Sequence, residues 1–353
     1  IKLIMAYTTV PKSTDYFKPE IYTGNGSSKT ISTLNFQPDW VWIKNRATTD
    51  MNVLFDSYRG ATKRLASDST AAEATEVQDL TAFNTNGFTV GTSGAVNTNN
   101  VNYASWNWKA NGQGSSNTDG SINTTYTSAS ATSGFSISTY TGTGANATFG
   151  HGLGVAPKFI MIKRLDNGAN WRCYHASIGA NYNLVIATDG FQTTPTVWNN
   201  TAPTSTTVNL GSYNEVNGSG ASQLAYCFAD VQGFSKFGSY IGNGNVDGTF
   251  IYTGFKPAFV ITKNYADSGG ASNNGGNWRI FDNQRLGYNV NNATLYPNLT
   301  NAEADETSLD LLSNGFKMRG TTGDLNENGM KYVYMAFASE PLVSTNGNAA
   351  TAR

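Results

Sequence analysis

Short apolar runs alternate with stretches of Gly, Asn, Thr and Ser along the whole chain, and the alternation repeats over long distances. Three proline-led runs ending in lysine carry the clearest apolar signal. They are Pro38-Asp39-Trp40-Val41-Trp42-Ile43-Lys44, Pro157-Lys158-Phe159-Ile160-Met161-Ile162-Lys163 and Pro257-Ala258-Phe259-Val260-Ile261-Thr262-Lys263. Runs this short, without helix caps, predict strands buried on both faces. Proline is tolerated at the first strand position, where no ladder donor is required. Successive runs lie 119 and 100 residues apart. Upstream of them, Tyr22-Thr23-Gly24-Asn25-Gly26 recurs as Tyr140-Thr141-Gly142-Thr143-Gly144 and Tyr240-Ile241-Gly242-Asn243-Gly244, at offsets of 118 and 100. Two unrelated landmarks keeping one spacing indicate an internal repeat.

The register extends further. Asn52-Val53-Leu54-Phe55-Asp56 fills the slot of Asn170-Trp171-Arg172-Cys173-Tyr174 and Asn277-Trp278-Arg279-Ile280-Phe281. Copies one and three share Thr70-Ala71-Ala72-Glu73-Ala74 with Thr300-Asn301-Ala302-Glu303-Ala304, and Asn86-Gly87-Phe88 with Asn314-Gly315-Phe316, which the middle copy lacks. The Asn-Gly pairs predict tight turns needing positive φ. Each copy closes on an aromatic strand, around Trp106, Tyr226 and Tyr334. The expected fold is all-β: three tandem antiparallel β-sandwich modules of jelly-roll or lectin-like type, each an independent hydrophobic unit. The expected divisions are an N-terminal arm (1–15), module one (16–110), a linker (111–133), module two (134–232), module three (233–340) and a C-terminal tail (341–353). The stretch from Thr124 to Ser133 either continues the linker or forms an edge strand. Single helical turns are expected around Ala71–Thr75 and Ala302–Asp305.

Composition narrows the function. Aromatic residues make up 12% of the chain, ample for sizeable cores, whereas charged residues make up only 13%, about half the usual share. A net charge of −1 argues against nucleic acid as a partner, which demands a basic stripe. No apolar run reaches the length of a membrane span, so membrane insertion is not expected, and the start lacks the pattern of a signal peptide. Cys173 and Cys227 read as buried thiols in strands.

Candidate chemistry is sparse. His175 occupies the slot of Asp56 and Asp282, and a residue that changes type across equivalent places reads as structural. Asp56 with Asp282, or Glu73 with Glu303, are carboxylates of the kind glycoside hydrolysis requires. They recur at equivalent positions, which favours ion pairs with Lys44, Lys263, Arg59 or Arg285. Asp324, Asn326 and Asn328 place oxygen side chains at alternate positions before Gly329, as in the opening of a calcium loop; a hairpin loop is the plainer reading. Trp198 beside Asn199 and Asn200 is the candidate ligand site, since an aromatic face with two amides suits a sugar. The plain alternative is an edge-packing residue. No enzyme activity and no cofactor is expected.

The Tyr-Thr-Gly-Asn-Gly, Gly254-Phe255-Lys256-Pro257, Asp56-Ser57-Tyr58-Arg59-Gly60 and Asn86-Gly87-Phe88 elements resemble the repeated β-modules of marine bacteriophage (cyanophage and pelagiphage) virion proteins of tail-fibre type. The resemblance spans about Met5 to Arg353. It implies a virion structural protein, made in the host cytoplasm without a signal peptide, that serves as a tail-fibre or host-attachment component. The proline-led strand, the Gly-Phe strand and the closing aromatic-Ala strand are similar, less closely, to those of H-type lectins, which implies six-stranded, often trimeric, sugar-binding sandwiches. Expected partners are copies of the chain itself (a trimer), other virion proteins and a host cell-surface glycan. A capsid decoration or tail adaptor with a scaffolding role alone is the second reading, and a polysaccharide depolymerase the third.

Overall fold

The computed structural model describes residues 7–188, 190–265, 276–287 and 289–341. Most of the tail expected from 341 onward, and the first six residues of the arm, lie outside them. The fold is all-β, with antiparallel sheets packed in a sandwich-like arrangement.

The proline-led runs become central strands of the large sheets. In the first copy the order is Phe17–Thr23, Asn102–Trp108, Trp40–Asn45, Asn52–Asp56 and Lys63–Ala66, ending on Ala74–Thr75. The second copy repeats it with Phe135–Thr141, Ser222–Phe228, Phe159–Arg164, Arg172–His175 and Tyr182–Val185. The third has Ser235–Ile241, Lys331–Pro341, Phe255–Asn264 and Arg279–Asp282. Tyr22, Tyr140 and Tyr240 occupy matching places on the first strand of each set, opposite Tyr103, Gln223 and Tyr332. Smaller sheets cover one face. Lys29–Ile31 pairs with Gly87–Val90, Ala147–Gly150 with Thr207–Leu210, and Phe250–Tyr252 with Gly315–Met318.

Strand alternation explains the layers. Val41 and Ile43 point into a core beneath the first small sheet, and Ile160 and Ile162 into its counterpart in the second copy. On the opposite faces, Trp40, Trp42, Phe159, Met161, Phe259 and Ile261 all enter one core, which includes Trp106, Trp108, Tyr226, Phe228 and Phe337. The expectation of independent sandwiches is therefore corrected. Trp40 lies 4.6 Å from Tyr226 by ring centroids, Phe17 5.0 Å from Phe337, and Trp106 5.9 Å from Phe259. The physical reason is that large aromatics stand on both faces of each large sheet. A lone sandwich would leave one aromatic face in water, an exposed patch that folded proteins cover.

Local expectations shift in three places. Of the two readings of residues 124–133 the edge strand is the one formed, and the rest of the segment from 111 is tied down rather than a free linker. Tyr126–Ser130 adds an edge strand beside Phe135–Thr141, and isolated bridges tie Ser115 to Thr127 and Ile122 to Phe149. Helical turns form at Gly94–Asn97 and Asn214–Asn217 rather than near Ala71 or Ala302. There Ala74–Thr75 and Ala304–Leu312 are strands, because pairing with a neighbouring strand outweighs the helix propensity of Ala and Glu. At Gly87 and Gly315 a Cβ would fall 1.8 and 2.0 Å from the Ile31 and Ile251 carbonyl oxygens. Close approach of a neighbouring strand demands glycine at both places.

Candidate functional site

The slot shared by Asp56, His175 and Asp282 lies where consecutive copies meet. Tyr226 of the second copy donates its hydroxyl to Asp56 Oδ2 at 2.8 Å. His175 meets the Tyr334 carbonyl of the third copy at 3.2 Å through Nε2. Trp106 of the first copy donates Nε1–H to Asp282 Oδ2 at 3.0 Å. The start of the same strand repeats the pattern. Asn52 donates to the Leu299 carbonyl at 2.8 Å, Trp171 to Ala66 at 2.8 Å and Trp278 to Val185 at 3.0 Å. The copies thus grip one another cyclically through equivalent positions.

This environment fixes the protonation of His175. The Ser177 N–H donates to Nδ1 at 3.1 Å, so the ring proton belongs on Nε2, facing the carbonyl. Burial pushes the pKa down to about 4, with only the Tyr334 carbonyl opposing. Burial likewise pushes the Cys173 and Cys227 thiols up; both are free and buried.

The carboxylates expected to pair do so with arginine. Arg59 Nε donates to Asp56 Oδ2 at 2.6 Å and its Nη1 to Glu73 Oε2 at 3.0 Å. Arg285 repeats this with Asp282 at 2.7 Å and Glu303 at 2.9 Å. The lysines behave otherwise, correcting that part of the expectation. Lys44 Nζ donates to the Asp50 and Thr300 carbonyls, Lys163 Nζ to Ala169 and Thr70, and Lys263 Nζ to Asn264 and Gly276. Burial lowers Lys44 and Lys163 to about 8, opposed by Asp50 and Asp68 for the first and chiefly by Glu215 for the second. Main-chain carbonyls cap these ammonium groups and the residues are fully buried, so neither presents an accessible nucleophile.

Trp198 does not offer a stacking face. It is 1% exposed and packs edge-on against Tyr174, with 5.8 Å between ring centroids. Asn199 and Asn200 are exposed beside it with left-handed backbones, and Asn199 Oδ1 accepts from Asn146 at 2.8 Å. The stacking role is corrected, because the small sheet of the second copy needs that indole in its core. The calcium reading fares similarly. Asp324 Oδ2 accepts from Arg279 at 3.1 Å, and Asn326 is fully buried with Oδ1 accepting from Asn243 N at 3.0 Å. Asn328 stands apart on the surface, beside Gly244. Among the described residues, no group of three His, Cys, Asp or Glu side chains is placed to hold a metal ion.

Sequence reasoning missed what Asn326 does. It matches Asn97 and Asn217, each six residues ahead of Tyr103, Gln223 and Tyr332. All three accept from the residue after the first glycine of the Tyr-x-Gly turn, namely Asn25, Thr143 and Asn243. All three donate back to carbonyls, to Gly91, Gly211 and Gly320 among others. Glu215 is consequently the counterpart of Asp324, and it pairs with Arg172 as Asp324 pairs with Arg279. In the first copy the same places hold Ala95 and Val53, both buried. The constant six-residue spacing was the signal available in the sequence.

Two clefts open on the surface of the described residues. One, about 540 Å³, lies between the 111–133 segment and the second copy, lined by Asn111, Gln113, Ser115, Asn117 and Thr127. The other, about 220 Å³, opens at the seam of copies one and two beside Tyr58, Arg59, Glu73, Thr139 and Leu165.

Fold and surface together define an all-β protein whose antiparallel sheets close sandwich-like on a shared aromatic core. The chain belongs to the family described as a domain of unknown function (DUF7483), whose model matches residues 12–341 in one span. No curated protein and no solved structure matches it.

Proposed function

We propose that this chain is a structural protein of a bacteriophage virion, a tail-fibre or host-attachment component that presents polar loops to the cell surface. The observation that supports this reading is the single aromatic core on which all three sequence copies close. Such a core suits a rigid particle carrying repeated weak contacts, and several copies of the chain, a trimer for example, raise weak affinities by linkage. The polar clefts and exposed amides, such as the Asn146–Asn199 pair, suit hydrogen bonding to a host glycan. The repeated Asp56, His175 and Asp282 slots serve packing. That observation favours a second reading, a capsid decoration or tail adaptor with a scaffolding role alone.

Antibodies raised against the purified protein test the virion assignment. Gold labelling at the exterior of phage particles is expected, and label confined to the unassembled lysate overturns it. Excess soluble protein should then slow adsorption of the phage to its host. Unchanged adsorption with labelled particles selects the scaffolding reading.

A further inference from the structure

The seams between copies share a backbone frame and fill it differently. At the seam of copies three and one, Glu303 N donates to the Arg46 carbonyl at 2.9 Å. Arg46 then forks onto the same carboxylate, Nε to Oε2 at 2.9 Å and Nη2 to Oε1 at 2.8 Å, while Arg285 reaches Oε2 at 2.9 Å. At the seam of copies one and two, Glu73 N donates to the Leu165 carbonyl, also at 2.9 Å. Arg59 stands in for Arg285 there, at 3.0 Å from Glu73 Oε2. Leucine holds the place of Arg46, so nothing forks onto Glu73. The cleft of about 220 Å³ opens instead, with Glu73, Leu165, Tyr58 and Thr139 in its wall.

We infer that this cleft is a binding site for a guanidinium group, free or carried on an arginine side chain of a partner chain, held by Glu73 as Glu303 holds Arg46. Four observations carry this. The frame is the same at both seams, so the fork geometry is available. Among the described residues the one cation paired with Glu73 Oε1 is Lys63, at 3.6 Å and 38% exposed, a distance too long for a hydrogen bond. Tyr58, paired with Tyr126 at 5.0 Å between centroids, supplies an aromatic flank against which a planar cation packs well. Thr139, whose buried hydroxyl has no hydrogen-bond partner, lines the same wall. Arg59 does not forbid a second cation, since Asp56 and Glu73 both pair with it and Arg285 shares Glu303 with Arg46. The inference does not rest on the virion reading, and gold labelling of particles neither supports nor removes it.

The test is a calorimetric titration of the full chain with methylguanidinium chloride at constant ionic strength, against methylammonium chloride. Saturable binding is expected, with methylammonium about tenfold weaker or more because it cannot fork onto a carboxylate. Leu165→Arg should fill the cleft from within, keep the fold and abolish binding. Glu73→Gln should weaken binding about tenfold or more. Arg46→Leu should free Glu303 at the other seam, where Gln284 holds the place of Tyr58, and add a second, weaker site. A blocked arginine peptide that binds more tightly than methylguanidinium assigns the group to a partner chain; equal or weaker binding assigns it to a free cation. Absence of saturable methylguanidinium binding, or a folded Leu165→Arg variant that binds as the parent does, overturns the inference.

Discussion

His175 shows how one slot is solved by different chemistry. Asp56 and Asp282 are matched there by Arg59 and Arg285, with which they form ion pairs. The second copy has Ile178 in the corresponding turn, and a neutral imidazole replaces the carboxylate. Its pKa is depressed to about 4 from an ordinary value of 6.5. The unfolded chain therefore takes up this proton first as pH falls. The contribution to stability is complete above about pH 6.5 and lost as pH falls through that value to about 4, on the order of 3 kcal/mol in all. Urea unfolding at pH 7 and pH 5 should show the parent losing stability, and His175→Asn should lose measurably less across that interval. Equal slopes for both proteins would assign the acid sensitivity elsewhere.

At the scale of elements, the Tyr-x-Gly-x-Gly segment is a junction rather than a simple turn. Tyr22, Tyr140 and Tyr240 donate their hydroxyls to the Val96, Val216 and Leu325 carbonyls, each at 2.7 Å. A Cβ on Gly24, Gly142 or Gly242 would lie 2.1–2.3 Å from a carbonyl oxygen of the facing segment. The buried asparagine that follows Val96, Val216 or Leu325 then clasps the turn. Asn217→Ala would leave Thr143 N and the Ala145 and Gly211 carbonyls without that partner. A loss of about 2–4 kcal/mol is expected, read as a lowered denaturation midpoint with an unchanged m-value. Gly142→Ala should destabilise as well, because the clash is with backbone that cannot swing away. A midpoint unchanged in both variants would mean the junction is not under tension from either side.

For the whole molecule, the shared core sets cooperativity. Trp40, Trp106 and Trp108 are buried against aromatic residues of the other copies, and Trp42 packs on Trp40 and Trp106 within the same core. Burial of such side chains is worth roughly 1.5–3 kcal/mol each, so a detached copy forfeits a large part of its stabilisation. The full chain is expected to unfold in one calorimetric transition, and the isolated 16–110 segment should expose its tryptophans and bind a hydrophobic dye. Three resolved transitions, or a 16–110 fragment with native near-ultraviolet dichroism, would return the copies to independence.

Much of this was legible in residue order. Two-residue alternation, proline-led buried runs and constant offsets define the strands and their repetition, because side-chain direction in a strand follows from covalent geometry alone. Arginine as partner of Asp56 and Asp282 was one of the readings open in the sequence, with Arg59 and Arg285 three residues on, but Lys44 and Lys263 stood equally open until the structure placed them. What lies across a seam was not readable. The burial of Trp198, the fork of Arg46 on Glu303 and the cleft left by Leu165 depend on how sheets distant in sequence approach one another. Local patterning determined which faces are apolar; only the closing of those faces on each other decided which residues are enclosed and which still face water.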